Sequence, residues 1–358
     1  MQAVADALAV SARRNTLERL PKWLICVPLV LQWLWLSLRY GSVTLPSAAN
    51  PAITAGGLVG ETKLEYFQSM GSLALAATAR HCALPPALRA DLADVRTAMA
   101  QAGLVFPLIA KPDLGMCGFG VRLLDDEAAL LAYFAVFPPE QLIVLQEYLP
   151  QEGEAGVFYA RQPGAAQGRI IGLALRYFPQ VVGDGYASLG QLIDADPRAR
   201  RVQGRADHDC ALDRSQVPAR GQVVRLATIG STRVGGLYRD GGCYVTPALT
   251  LAIDAIARDM DEFYFGRFDL RFADLAQLSE GRGFSIMEVN GAGSEAIQAW
   301  DPDIGLLQAF RIIFAKQRLL FGIGAANRRK GYGTISLRRL AHLHFMQQRL
   351  LDAYPPSN

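Results

Sequence analysis

FYFGRFDLRFADLAQLSEGRGFSIMEVNGAGSEA, residues 263–296, is the stretch on which the fold turns. Two runs of strand-forming residues, 266–272 and 283–290, flank a polar segment ending in Glu280, Gly281, Arg282 and Gly283, the pattern of an antiparallel pair. In the first run Arg267, Asp269 and Arg271 alternate with Phe268, Leu270 and Phe272, so a strand puts charge on one face and apolar groups on the other. In the second, Ile286, Glu288 and Asn290 share a face. Pairing the runs brings Asp269, Glu288 and Asn290 together, with Arg267 beside them. Two carboxylates and an amide are hard oxygen donors, a set that suits Mg²⁺, which keeps waters and shares its other positions with phosphates. An arginine next to such an ion stabilises charge spreading over a phosphoryl group in transfer. A second reading stays open on pattern alone, because alternating charge also marks a strand with one solvated face.

GRFDLRF followed by MEVNG resembles the paired strands of the ATP-grasp superfamily, and is most similar to its D-alanine:D-alanine ligase and carboxylate-amine ligase branch. The resemblance implies an α+β, ATP-grasp fold, in which two α/β subdomains clamp ATP, here with a divergent, largely helical N-terminal region. It implies Mg²⁺, as a pair of ions, on Asp269, Glu288 and Asn290, with Arg267 as the catalytic group at the reacting phosphoryl. The implied activity is an ATP-dependent ligase of the acid–amino acid type, joining a small-molecule carboxylate to an amine through an acylphosphate. The matching pieces run over residues 106–330 and leave the first hundred residues outside.

Within that span, PLIAKPDLGMCGFGVRLL (residues 107–124) gives a strand ending in Lys111, a loop with Gly115, Gly118 and Gly120, and a second strand. Glycines let backbone approach a polyphosphate and the lysine supplies a point charge. The order of these parts resembles the phosphate-covering loop of ATP-grasp enzymes, which implies nucleotide contacts for Lys111, Gly115 and Gly118. Residues 125–137 are helical in pattern, and QLIVLQEYL (141–149) is an apolar strand closing on a polar hinge. The resemblance implies adenine beside Gln146, Glu147, Tyr148 and Leu149, and ribose on Glu154, whose spacing is one residue long and leaves Glu152 as its rival. VVGDGYASLGQLI (181–193) resembles the GDG-x-S-containing loop and helix of amino-acid-ligating members, with Ser188 a fitting helix cap.

The substrate candidates are Lys63, Arg233, Gly291 and Ser294. Lys63 closes a loop rich in small residues (47–63) at a helix start that favours an anion, although the same loop reads equally as a flexible connection. Arg233 lies in TIGSTRVGGLYRDGGCY (228–244), where a carboxylate-binding loop and an ordinary hairpin are both open. Gly291 and Ser294 belong to GAGSEA, at the place of the acceptor site in similar ligases. Residues 64–100 read as helical, 247–260 as an amphipathic helix, and the chain after GAGSEA as a long helix to about residue 321. Asp207, His208, Asp209 and Cys210 lack a second cluster at ligand spacing, so zinc is not expected.

The chain has 358 residues, 51% hydrophobic and 19% charged, which allows a sizeable core and excludes a disordered protein. Net charge is +3 with a pI near 8.6 and dispersed arginines, so no nucleic-acid partner is expected. Five cysteines form no CxxC pair and point to a reducing, cytoplasmic setting. Three regions are expected: 1–100, 101–330 carrying the ATP-grasp part, and 331–358 as a terminal helix and tail. Residues 1–22 read as a basic amphipathic helix leading into WLICVPLVLQWLWLSL (23–38). This apolar run suits a buried or oligomer-facing helix, peripheral membrane contact, or a span, and carries no cleavage site of a secretory signal. A homo-oligomer is expected. Two other functions stay open: a kinase-type phosphotransferase on the same scaffold, and a membrane-associated nucleotide-binding module. Asp269→Asn or Glu288→Gln should remove metal-dependent turnover with little loss of folding.

Overall fold

The computed structural model describes residues 16–202 and 212–358. Most of the helix expected over 1–22, and the Asp207 to Cys210 segment, lie outside the described residues. Among the described residues the strands are β1 (His81–Leu84), β2 (Leu108–Pro112), β3 (Arg122–Leu124), β4 (Ile143–Glu147), β5 (Gly153–Ala160), β6 (Arg169–Tyr177), β7 (Gln180–Val182), β8 (Val223–Arg225), β9 (Leu237–Asp240), β10 (Phe265–Phe272) and β11 (Phe284–Asn290). The principal helices are α1 (Lys22–Tyr40), α2 (Lys63–Ser69), α3 (Leu92–Gln101), α4 (Glu127–Val136), α5 (Leu189–Ala195), α6 (Pro247–Arg258), α7 (Leu306–Arg329) and α8 (Leu337–Ala353). The expected α+β class holds.

One antiparallel sheet has four strands in the order β1-β4-β2-β3. Its core joins Leu108 and Leu145 to Val95 of α3, Leu130 and Tyr133 of α4, and Leu351 beyond the middle of α8. β1 corrects the expectation of helix throughout 64–100: HCAL is too short to show either period, and hydrogen bonding to the free edge of β4 decides its state. The boundary expected at residue 100 falls between β1 and β2, two strands of this one sheet.

The second antiparallel sheet has five strands in the order β11-β10-β5-β6-β9. α6 starts on Pro247, with Thr246 Oγ1 accepting from the Leu249 amide, and lays Leu249, Ile253 and Ile256 over Val157, Leu173, Phe268 and Leu270. Each such side chain, fully buried, contributes about 1.5–3 kcal/mol. All eight residues of β10 are buried, charged ones included, so the solvated-face reading fails. β7 and β8 form a third, two-stranded sheet packed with α5, whose Ser188 and Gln191 make a reciprocal capping box. α7 ends at Arg329, beyond the expected 321, and α1 packs along it.

β10 and β11 pair as expected with one correction. Asp269 faces Glu288 and Arg267 faces Asn290, but the register shifts by one residue before Leu270, which faces Ile286. That bulge at Met287 turns Ile286 into the apolar core, fully buried, while Glu288 and Asn290 stay on the charged face.

Candidate active site

The charged face of the five-stranded sheet carries a row of ionic side chains across β6, β5, β10 and β11. Register sets the row: Glu154 of β5 lies between Arg176 of β6 and Arg271 of β10, and Asp269 lies opposite Gly156 of β5. Arg267 grips Asp269 with both ends of its fork, Nε to Oδ1 at 2.6 Å and Nη2 to Oδ2 at 2.9 Å. Arg176 bridges Glu154 (2.9 Å) and Asp269 (3.2 Å), and Arg271 reaches Glu154 at 3.4 Å. Asn290 Nδ2 donates to Asp269 Oδ2 at 3.2 Å. Gly156 makes room for this: a Cβ there would stand 3.0 Å from Arg267 Cδ and 3.3 Å from Asp269 Oδ1.

Asp269 is 2% exposed. Burial pushes its pKa up, but the guanidinium groups of Arg176 and Arg267 outweigh that and hold the carboxyl below its ordinary value. Arg176 is driven the other way: its burial disfavours the cation, and Asp269 with Glu154 more than restores it. Arg176 therefore remains charged.

The other side of the cluster is built from lysines. Lys111 on β2 is 5% exposed and donates to Gln146 Oε1 (2.7 Å) and to the Met287 carbonyl (3.0 Å), which the bulge turns toward it. Burial pushes its amine down to about 7, opposed by Glu288 and reinforced by Lys63. Lys63, at the start of α2, pairs with Glu288 at 3.3 Å, and its amine lies 3.3 Å from where a Cβ on Gly115 would stand. Asp113 anchors that end of the glycine loop, its Oδ1 accepting from the Leu64 amide at 2.8 Å.

The expected residues divide into those gathered here and those placed elsewhere. Lys63, Lys111, Gln146, Gly115, Glu288, Asn290, Asp269 and Arg267 come together. Glu154 is taken up by two arginines in the ionic row, while Glu152 is exposed. Glu147 is held by the Arg80 backbone and side chain, at 3.0 and 2.6 Å, and Tyr148 and Leu149 form the connection from β4 in one sheet to β5 in the other. Arg233 lies on the glycine loop, its Nε donating to the Cys117 carbonyl (3.3 Å) and its Nη2 to the Gly118 carbonyl (3.5 Å) and Ser357 Oγ (2.9 Å). Gly291 touches Gly57: a Cβ on Gly57, at φ +77°, would come within 2.6 Å of Gly291 Cα. The amides of Ala292 and Gly293 donate to the Gly56 and Gly57 carbonyls, so the small-residue loop closes over GAGSEA.

Arg176, Glu61 and Lys316 were missed from the sequence. Arg176 ends the apolar run RIIGLALRY, where a lone inward charge is the only signal. Lys316, half-buried in the middle of α7, donates to the Ser294 carbonyl, and desolvation of its amine lowers its pKa to about 8. Glu61 Oε2 and Ser294 Oγ are buried without hydrogen-bond partners, and burial raises the Glu61 pKa. An unpaired carboxylate oxygen beside Lys63, and an unpaired hydroxyl on the GAGSEA loop, are what a site for a polar small molecule requires.

Among the described residues no group of three or more His, Cys, Asp and Glu side chains is placed to hold a metal. The donor set to test is therefore two carboxylates and one amide. Its chemistry fits Mg²⁺, and Glu288, a third exposed in its side chain, presents an oxygen pairing only with Lys63. Asp269 has both oxygens on arginine, so a cation there takes the place of guanidinium contacts.

No family model and no curated protein sequence matches the chain. Among solved structures it is similar to D-alanine–D-alanine ligase from Bacillus anthracis, with 13% identity, a TM-score of 0.43, and coverage of 78% of this chain and 72% of that one. The ATP complex of that ligase gives 14%, 0.39, and coverage of 75% and 65%. A bifunctional glutathione synthetase from Pasteurella multocida gives 17%, 0.37, and coverage of 71% of this chain but only 35% of that protein.

Proposed function

We propose that the chain is an ATP-dependent carboxylate-amine ligase working through an acylphosphate. The observation that carries this is the convergence of Asp269, Glu288 and Asn290 with Lys111, Lys63 and Gly115 on one face between two sheets. Hard oxygen donors beside buried amines and a glycine loop are what Mg-ATP needs. Asp269, Glu288 and Asn290 would hold Mg²⁺, which when bound neutralises charge on the phosphates. Lys111 and Lys63 take the phosphate chain, and the connection through Tyr148 and Leu149 faces the base.

A substrate carboxylate oxygen attacks the γ-phosphorus, the bond to the β–γ bridging oxygen breaks, and ADP leaves with that electron pair. An amine then adds to the acyl carbon, phosphate departs and the amine proton is lost, leaving an amide. No covalent protein nucleophile is called for; positioning, charge neutralisation and dryness suffice. Arg267, held on Asp269 and with Nη1 on the Glu295 carbonyl at 3.4 Å, joins the phosphoryl end to the acceptor loop. The loop over Gly291 to Ser294 shields an acylphosphate from water.

The test follows ADP release across panels of carboxylates and amines, with hydroxylamine as a trap. A hydroxamate together with ADP supports the ligase. A stable phosphorylated product with no hydroxamate would instead assign phosphoryl transfer.

A further inference from the structure

Helix α1 bears a surface that catalysis does not use. Its inner stripe lies on α7: Ile25 and Leu36 are buried there, and Gln32 Nε2 donates to the Phe314 carbonyl at 2.8 Å. The outer side is apolar and open, with Trp23, Val27, Leu31, Leu34, Trp35 and Leu38 each 49% to 83% exposed. No charged residue stands between Trp23 and Leu38. At about 100° per residue these six positions cover about a third of the circumference. An apolar groove of about 440 Å³ between Trp33 and Leu337, Leu340 and Phe345 of α8 extends the surface sideways.

Three occupants compete. A span is excluded by packing, since the inner stripe is fastened to α7, which carries Arg311, Lys316 and Arg318 along its length. A zipper with a second copy needs a narrow seam flanked by charges. Here the flanks are Val30 and Trp35, which a two-helix contact would leave in water. A bilayer covers the whole apolar face at once, and tryptophans near both ends suit its interface. Charge agrees: at the C-terminal end of α1, exposed Arg39 meets exposed Arg328, whose Nη2 donates to the Tyr40 carbonyl at 2.8 Å, and exposed Arg329 follows.

We propose that the outer face of α1 docks this protein in the plane of an anionic lipid bilayer, with Arg39, Arg328 and Arg329 on the headgroups. The proposal rests on the surface alone and is independent of the ligase chemistry. The full chain is floated with vesicles of phosphatidylcholine containing phosphatidylglycerol, and with phosphatidylcholine alone. Binding is expected to the anionic vesicles, at least about tenfold weaker to the neutral ones, and weakened by salt. Leu31→Glu with Leu34→Glu should lower it at least about tenfold, since charge is costly in hydrocarbon. Both positions are exposed, and circular dichroism checks that folding persists. Brominated acyl chains should quench tryptophan emission in the unmodified chain alone. No flotation, equal binding to neutral vesicles, binding indifferent to the glutamates, or a lipid-free dimer that they dissociate would each overturn the proposal.

Discussion

The cations around the candidate site fall into two sets that treat their counter-charges differently. On the five-stranded sheet Arg267, Arg176 and Arg271 share Asp269 and Glu154, and each carboxylate is bound by two guanidinium groups. On the four-stranded sheet and α2, Lys111 and Lys63 have between them one partly exposed Glu288, and Lys111 otherwise leans on an amide and a carbonyl. Arginine keeps its charge when buried, whereas a buried lysine gives it up unless an anion arrives. The arginine row is thus neutralised by the protein's own carboxylates, an arrangement suited to rigidity. Among the described residues the lysine pair has no such double enclosure, and on the proposed function it takes the phosphate chain.

If that division is right, substitutions in the row cost folding and those in the pair cost binding. Asp269→Asn has the largest expected effect. Removing one member of a buried ion pair costs about 3–5 kcal/mol, because Arg267 and Arg176 lose their shared counter-charge. Thermal unfolding should show the loss together with absent ADP release, which reverses the little-loss-of-folding outcome expected from the sequence. Arg176→Met should destabilise by a similar amount, about 3 kcal/mol or more. A Tm within a degree or two of the parent for both variants would show that the row is not structural.

The row also marks where sequence stops being informative. Alternation in GRFDLRF put Arg267 and Asp269 on one face, and two carboxylates with an amide suggested a cation, because strand period is a local property. That Arg267 folds back onto Asp269, and that Arg176 enters from β6, depends on register between strands about a hundred residues apart in the chain. The bulge at Met287 was invisible for the same reason: parity predicts faces only while the ladder is unbroken. Lys111 and its glycine loop were legible as strand, lysine and turn, but the bulge that aims the Met287 carbonyl at Lys111 was not. Ser188 was legible because a cap is set by residues three apart.

Lys111→Met sharpens the contrast. The lysine pKa is near 10.4 in an unfolded chain and about 7 here, so between those values the unfolded state binds the extra proton. Stability therefore rises with pH across that window, by up to about 1.4 kcal/mol per pH unit, and levels off below pH 7, where both states carry the proton. Methionine, of similar length and uncharged, should flatten this slope and leave stability at neutral pH unchanged or higher. ATP affinity should fall about tenfold or more in equilibrium dialysis, as a phosphate contact is lost. A parallel slope in parent and variant would remove Lys111 as its source.

Glu288→Gln should disturb folding least. The carboxylate is a third exposed in its side chain and pairs with Lys63 at 3.3 Å, a contact of the kind worth about 1 kcal/mol or less. Glutamine keeps the shape and one oxygen donor but removes a charge that Lys63 uses and that the proposed Mg²⁺ would need. Urea unfolding should therefore shift by no more than about 1 kcal/mol while Mg²⁺-dependent ADP release is lost. A large fall in stability with turnover intact would move Glu288 into the structural row and leave Lys63 and Lys111 without a shared partner at the site.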